Sequence, residues 1–293
     1  MRILILGVSG LIGHKLLQDL KKDFEIYATL HRAKSDYGDL PLFSEKNIIE
    51  NIDVLDYEVL KGVLFAVNPD VILNCVGITK RKINTDNFLD VLMVNSVFPH
   101  KLARWAKKNK KRVIHFSTDC VFDGKKGNYD ETSLTNAEDL YGRTKALGEI
   151  NYSHTLTIRS SFIGQELFDK TELLDWFLSQ EGKTINGFKK VLYSGVSTQF
   201  MASVVKNILL NFPDLSGLYQ LAPENAIPKY ELLSIAKEAF KVSVTINADE
   251  KYVHLPTLDG SKLKNAMDLK IPSWKEMMID LALNKDFYSY KNN

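Results

Sequence analysis

Residues Arg2 to Leu6 form an apolar run without polar alternation, and it stops at a glycine. Such a run suits a parallel strand covered on both faces better than a half-exposed one. The next seven residues are Gly7-Val8-Ser9-Gly10-Leu11-Ile12-Gly13. An amphipathic helix is expected to follow to about Lys22, with Leu11, Ile12, Leu16, Leu17 and Leu20 as its inward stripe. A strand, a glycine-rich turn and a helix, in this order, are the context that a dinucleotide fingerprint requires. Gly7 and Gly10 permit a tight turn and the close approach of a pyrophosphate to the backbone, while Gly13 lets the helix pack on the strand. Free N–H groups and the positive end of the helix dipole would face the phosphates. Gly7, Ser9, Gly10, Leu11, Ile12 and Gly13 are therefore candidate cofactor-binding residues.

The chain then continues in strand and helix alternation. Glu25 to Leu30 reads as a second strand. Arg32, just beyond it, is placed to meet the adenosine ribose, where a basic residue accommodates a 2′-phosphate. With Ser9 adding a hydrogen bond, NADP(H) is preferred and NAD(H) stands second. Ile48 to Ile52 reads as a third strand, and Asp53 at its end is placed to touch the adenine amino group. A helix over Tyr57 to Val67 precedes a fourth strand, Val71 to Leu73, which runs into Asn74-Cys75-Val76-Gly77-Ile78-Thr79. Small residues at a strand end let a flat ring lie against the backbone, so Val76, Gly77 and Thr79 join the cofactor set. Lys80-Arg81-Lys82 is either a solvated loop or a contact for a substrate diphosphate, with Arg81 as the substrate-binding candidate. Asp86 to about Lys108 reads as one long helix. Asn95 within it is counted with the cofactor-binding candidates, as holder of a water that passes protons from the Lys to solvent; the alternative is a polar core residue that bonds backbone.

Arg112 to Phe116 reads as a buried strand, and Ser117 to Glu149 follows as the chemically richest stretch. Tyr141 and Lys145 are four apart and so share one face of a helix, one turn apart. A hydroxyl at the strand end, Ser117 or Thr118, would join them. A Lys ammonium stabilises tyrosinate and lowers the Tyr pKa. The Tyr then serves as general acid or base at a carbonyl or alcohol. Leu156 to Arg159 is a sixth strand. This alternation predicts an α/β protein: a Rossmann-type doubly wound parallel sheet over residues 1–160, completed by about 196–222, with residues 161–293 forming a smaller interleaved C-terminal substrate lobe. In that lobe Glu172 to Gln180, Met201 to Leu210, Tyr230 to Phe240 and Trp274 to Leu283 read as helices. Gly217 to Leu221 reads as a strand added to the first sheet, and Gly182 to Gly187 as a turn-rich link. Asp249 to Ser261 has no assigned shape.

Composition narrows the partners. The 293 residues carry a net charge of only +2, which gives no bulk electrostatic reason to bind nucleic acid. No apolar run reaches spanning length, and the first is too short for a signal peptide, so no membrane partner is expected. The two cysteines, Cys75 and Cys120, make neither a disulfide framework nor a metal site. They read as reduced thiols of a cytoplasmic protein.

Taken together, Gly7–Gly13, Asn74–Gly77, Ser117-Thr118-Asp119 with Val121-Phe122-Asp123-Gly124, Tyr141-Gly142-Arg143-Thr144-Lys145 and Gly148-Glu149 resemble the extended short-chain dehydrogenase/reductases. Within them the chain is most similar to the nucleotide-sugar 4-ketoreductases of the dTDP-4-dehydrorhamnose reductase family. The resemblance is strong to about Gly164 and looser beyond it. It implies hydride transfer from a nicotinamide cofactor to C4 of a keto-6-deoxyhexose carried on a nucleoside diphosphate, in the supply of a surface polysaccharide. By the same resemblance Tyr141 is the proton donor, Lys145 lowers its pKa and holds the nicotinamide ribose, Thr118 orients the substrate oxygen and Asp119 touches the sugar. Sugar dehydratases of the wider family carry Asp-Glu after the Thr; here Asp119-Cys120 follows, which disfavours elimination of water. The position of Cys120 is more often aromatic in the reductases. Some relatives use a divalent metal at a dimer contact, but no compact carboxylate cluster argues for one here. A homodimer is left open. Two other readings stand beside the reductase: an epimerase with tightly held NAD, and a dinucleotide-binding regulatory subunit, a class that tends to lose the Tyr or the Lys.

Overall fold

The structure, a computed structural model, describes residues 1–291; the last two residues of the expected C-terminal lobe lie outside it. The first strand, β1 (Arg2–Leu6), is an inner strand of a seven-stranded sheet. The other strands of that sheet are β2 (Glu25–Thr29), β3 (Ile48–Ile49), β4 (Val71–Asn74), β5 (Arg112–Ser117), β6 (Thr155–Arg159) and β10 (Gly217–Gln220). Their order is β10-β6-β5-β4-β1-β2-β3 and every pairing is parallel. Ile3, Leu4, Ile5 and Leu6 are all fully buried, as the absence of alternation required.

The two faces of β1 belong to different cores, because successive side chains of a strand point oppositely. Ile3 and Ile5 pack with Leu16, Leu17 and Leu20 of α1 (Gly13–Leu20) and with Met201 and Val205 of α7 (Thr198–Asn211). Leu4 and Leu6 pack with Leu60 and Leu64 of α2 (Tyr57–Val67) and with Phe98, Leu102 and Trp105 of α4 (Phe98–Lys108). Burying each such aliphatic side chain contributes about 1.5–3 kcal/mol. The chain turns from β1 towards β2 and β3 on one side, then returns to β4 on the other. That reversal opens a crevice beyond the carboxyl ends of β1 and β4, where ligands of open α/β sheets sit.

Outside this sheet lie β7 (Phe162–Ile163), paired with β9 (Val196–Ser197), and α6 (Leu173–Leu178). A second sheet has the order β11-β8-β12, from β8 (Thr184–Tyr193), β11 (Ile227–Pro228) and β12 (Thr245–His254). It packs with α8 (Lys229–Phe240) and α10 (Trp274–Leu283) around Phe177, Leu232, Ala236 and Met278. The remaining helices are α3 (Phe88–Leu92), α5 (Leu140–Leu147) and α9 (Ser261–Met267).

Three sequence expectations are corrected. Residues 182–187 are not a link throughout: β8 begins at Thr184, and it pairs in parallel with β12, which occupies the stretch around Asp249 that had no assigned shape. Both strands are largely exposed on their polar residues, so they lack the apolar pattern by which strands are read. The third strand ends at Ile49 rather than Ile52, because Asn51 turns at φ 60°. The long helix is interrupted by a π-helical turn over Met93–Val97. There Gly148 closes on the backbone so tightly that a Cβ would lie 1.9 Å from the Asn95 carbonyl oxygen.

Candidate active site

The glycine turn shows why its residues are what they are. Gly7 has φ +82°, a conformation in which a side chain is strained. A Cβ on Gly13 would stand 2.3 Å from the Gly7 carbonyl oxygen, so α1 can start this close to β1 only without one. Ser9, Gly10, Leu11 and Ile12 line one end of a cavity of about 410 Å³, and Val76, Gly77 and Thr79 line its wall beyond β4. Gly7 and Gly13 shape that end from beneath and do not line it. Arg32 and Asp53 are exposed beyond the cavity; the Asp53 carboxylate accepts from the Leu55 N–H at 2.9 Å.

At the other end α5 brings in Tyr141 and Lys145. Asp139 caps the helix, accepting from the Gly142 N–H at 2.9 Å, and its second oxygen takes the Lys80 ammonium at 2.7 Å. Gly142 lets the helix lie directly on the turn after β5, since a Cβ there would be 2.1 Å from the Cys120 carbonyl oxygen. Lys145 is buried, and its Nζ donates to the Phe116 carbonyl at 2.8 Å. Burial holds its pKa down to about 8, with Glu149 and Cys75 opposing. Thr118 lies on the turn; its hydroxyl donates to Asp119 at 3.1 Å and accepts from the Cys120 N–H at 3.1 Å.

Tyr141 departs from the expected lowering. Burial first, and then Cys120 and Asp119, push its pKa up, while a hydrogen bond with Thr118 opposes them. Desolvation decides the direction, and one N–H of the Lys145 ammonium is held by the Phe116 carbonyl. The phenol therefore stays protonated at neutral pH. Burial likewise raises both thiols, Cys75 strongly and Cys120 to about 12, so neither is a ready nucleophile.

Asn95 does not face the cavity. Its side chain accepts from the Ile78 N–H and donates to the Ile78 carbonyl, both at 2.9 Å. It clamps the loop after β4, which is the polar-core alternative of the two open at the sequence level. Asp119 is buried beside the cavity, and Arg81 lines it. The facing wall, Ser160 to Phe162 with Glu166, Asp169, Thr171 and Glu172, was not singled out from the sequence. Nothing in that segment's spacing marks it; the fold brings it across, and Lys82 reaches Asp169 at 2.7 Å. Lys229, at the start of α8, and His254, at the end of β12, also fall within the field of Asp119. No group of three His, Cys, Asp or Glu residues suited to a metal ion occurs among the described residues.

The cavity joins a glycine turn at a helix start to a Tyr–Lys–hydroxyl group, through a wall of small residues. A Cβ on Gly77 would stand 3.5 Å from the Asn95 Oδ1 and 4.0 Å from the Lys145 Nζ, so this glycine lies between the clamp on the loop after β4 and the lysine. This is the site of a Rossmann-type dinucleotide protein with short-chain-dehydrogenase chemistry. The chain belongs to the RmlD substrate binding domain family, which it matches over residues 1–285. It is 26% identical over 304 residues to dTDP-4-dehydrorhamnose reductase of Salmonella typhimurium, covering 94% of this chain and 95% of that one. It is also 30% identical over 260 residues to methionine adenosyltransferase 2 subunit beta of Danio rerio, covering 82% and 74%. In fold it resembles dTDP-4-dehydrorhamnose reductase from Bacillus anthracis, solved in complex with NADP, with a TM-score of 0.80 at 17% identity, covering 97% and 99% of the two chains.

Proposed function

We propose that this protein reduces the 4-keto group of a nucleotide-activated 6-deoxyhexose, using a nicotinamide dinucleotide. The observation that carries the reading is the junction of Tyr141, Lys145 and Thr118 at one end of a cavity whose other end is the glycine turn. The named reductase from Salmonella typhimurium, similar along nearly its whole length, supports it. The bound dinucleotide supplies the hydride. Ser9, Gly10, Leu11 and Ile12 hold its phosphates, and Val76, Gly77 and Thr79 receive the nicotinamide end. Thr118 orients the keto oxygen. Tyr141, kept protonated by burial, gives its proton to that oxygen as charge develops on it. Lys145 stabilises the tyrosinate that remains.

In this reading Arg32 favours the 2′-phosphate of NADPH over NADH, and Asp53 meets the adenine. Asp119 and Arg81 contact the sugar and its diphosphate. Residues 1–160, with 196–222, carry the cofactor, and the remainder of 161–293 selects the sugar. No helix among the described residues is long and apolar enough to cross a membrane, and the two free thiols favour a reducing compartment such as the cytoplasm.

The test is NADPH oxidation against a panel of dTDP- and UDP-linked 4-keto-6-deoxy sugars. Turnover with one of them supports the reading. The similarity to methionine adenosyltransferase 2 subunit beta favours a second one, a dinucleotide-binding regulatory subunit. Dinucleotide binding without turnover on any sugar, together with a stable complex with another enzyme, would replace the first reading with the second.

A further inference from the structure

Beneath the site lies a buried ion pair that the proton transfer does not itself use. Ser117 and Arg159 are register partners at the carboxyl ends of β5 and β6. Glu149 ties both down. It accepts from the Ser117 hydroxyl at 2.7 Å and takes Arg159 through Nε at 2.7 Å and Nη2 at 2.6 Å. The two charged side chains are only 4% and 10% exposed, and the Arg159 guanidinium lies over the Phe122 ring, 5.2 Å from its centroid. Ser117 precedes Thr118 in the chain. Glu149 follows Lys145 by four residues, just past the end of α5. One carboxylate thus holds the strand end that presents Thr118, one residue past the Phe116 carbonyl that takes the Lys145 ammonium at 2.8 Å.

A buried ammonium needs a counter-charge, because desolvation favours its neutral form. The groups around Lys145 supply few. Just past β4 comes Cys75, a thiol that burial keeps protonated. From β5 come the neutral Phe116 carbonyl and His115, held neutral by burial and by Lys145 itself. From α5 comes Tyr141, protonated as well. Glu149, bonded to Ser117 one residue past the Phe116 carbonyl that holds the ammonium, is the acidic group whose charge favours the protonated lysine.

We infer that Glu149 is a positioning residue for the proposed reduction: it anchors the ends of β5 and β6 through Ser117 and Arg159, and supplies the negative charge that keeps Lys145 an ammonium beside Tyr141. The role in turnover rests on the reductase reading; the effect on the lysine proton does not.

The experiment therefore follows that proton directly. Trace acetic anhydride labels the full-length protein over a series of pH values, and peptide mass spectrometry reads the extent at Lys145, which the cavity makes reachable. In wild type the labelling midpoint is expected near 8. In Glu149→Gln it should fall by about one unit or more, the scale of losing one close opposite charge. The alkaline limb of kcat/KM should fall with it. The double variant Glu149→Gln with Arg159→Met removes both members of the ion pair, so no guanidinium is left without its carboxylate, and it serves if the single variant does not fold; the same fall is expected there. An unchanged midpoint in either folded variant overturns the inference. A wild type inactive on every sugar, yet with the midpoint shifted in the variant, would sink the reductase reading and leave the assignment of Glu149 to the lysine proton intact.

Discussion

Replacing Gly142 by Ala separates the stability of the fold from the placement of Tyr141. A Cβ at this position would lie 2.1 Å from the Cys120 carbonyl oxygen and 2.4 Å from the Ala137 Cβ, whereas ordinary contact begins at 3.4 Å. The oxygen belongs to backbone and the start of α5 is pinned by the Asp139 cap, so the helix must withdraw by about 1 Å, the scale of displacement that costs roughly a hundredfold in turnover when it misplaces a reacting group. Overpacking of this kind costs about 1–3 kcal/mol. Ala regains about 1 kcal/mol over Gly by helix propensity. The net loss of stability is thus about 0–2 kcal/mol, which leaves the protein folded. Tyr141 is the preceding residue in the chain, and Thr118 stands on the turn that the helix would leave. We expect kcat/KM to fall roughly a hundredfold while affinity for the nicotinamide dinucleotide changes little. Urea denaturation, NADPH fluorescence titration and steady-state turnover give the three numbers. Wild-type kcat/KM in folded Gly142→Ala would refute the idea that this contact sets the position of Tyr141.

Gly62 provides the opposite case. It is exposed within α2 with nothing within 4 Å of a Cβ, so Gly62→Ala should stabilise the protein by about 0.8–1 kcal/mol, read as a higher urea midpoint. His14 should make stability depend on pH. It is fully buried, with Nδ1 bonded to the Gly10 carbonyl and Nε2 to the Tyr288 hydroxyl, each at 2.9 Å. Burial lowers its pKa from 6.5 to about 4. Its stabilising contribution is fully present above pH 6.5. As the pH falls from there towards 4, the unfolded chain takes up a proton that the fold excludes, and of order 3 kcal/mol is lost. Urea midpoints measured over this window should fall more steeply in wild type than in His14→Gln.

The sheet was legible because its strands are covered on both faces. Ile3–Leu6 and Val71–Leu73 announce burial by unbroken apolarity, and the spacing of Gly7, Gly10 and Gly13 follows from contacts that only local backbone geometry decides. Tyr141 and Lys145 were legible for the same reason, since four residues on a helix fix their common face. What escaped reading depends on contacts distant in sequence. β8 and β12 pair across about sixty residues of chain and their exposed polar residues carry no period, and Glu166 to Glu172 reach the cavity only because the fold lays that segment across it. The direction of the Tyr141 pKa shift also needed the structure, because burial rather than the neighbouring charge decides it. Glu149 could be seen as part of a motif, but its hold on Ser117 and Arg159 appears only when β5 and β6 are side by side.

The measurement that bears most directly on the account is the turnover of Tyr141→Phe beside wild type, on whichever keto-sugar proves active, with folding and NADPH affinity checked in the same preparation. The account predicts that kcat drops by about a hundredfold to ten-thousandfold, the contribution of a positioned proton donor, while fold and NADPH affinity are unchanged. Full turnover in the folded, cofactor-binding variant would contradict it and remove Tyr141 from the chemistry.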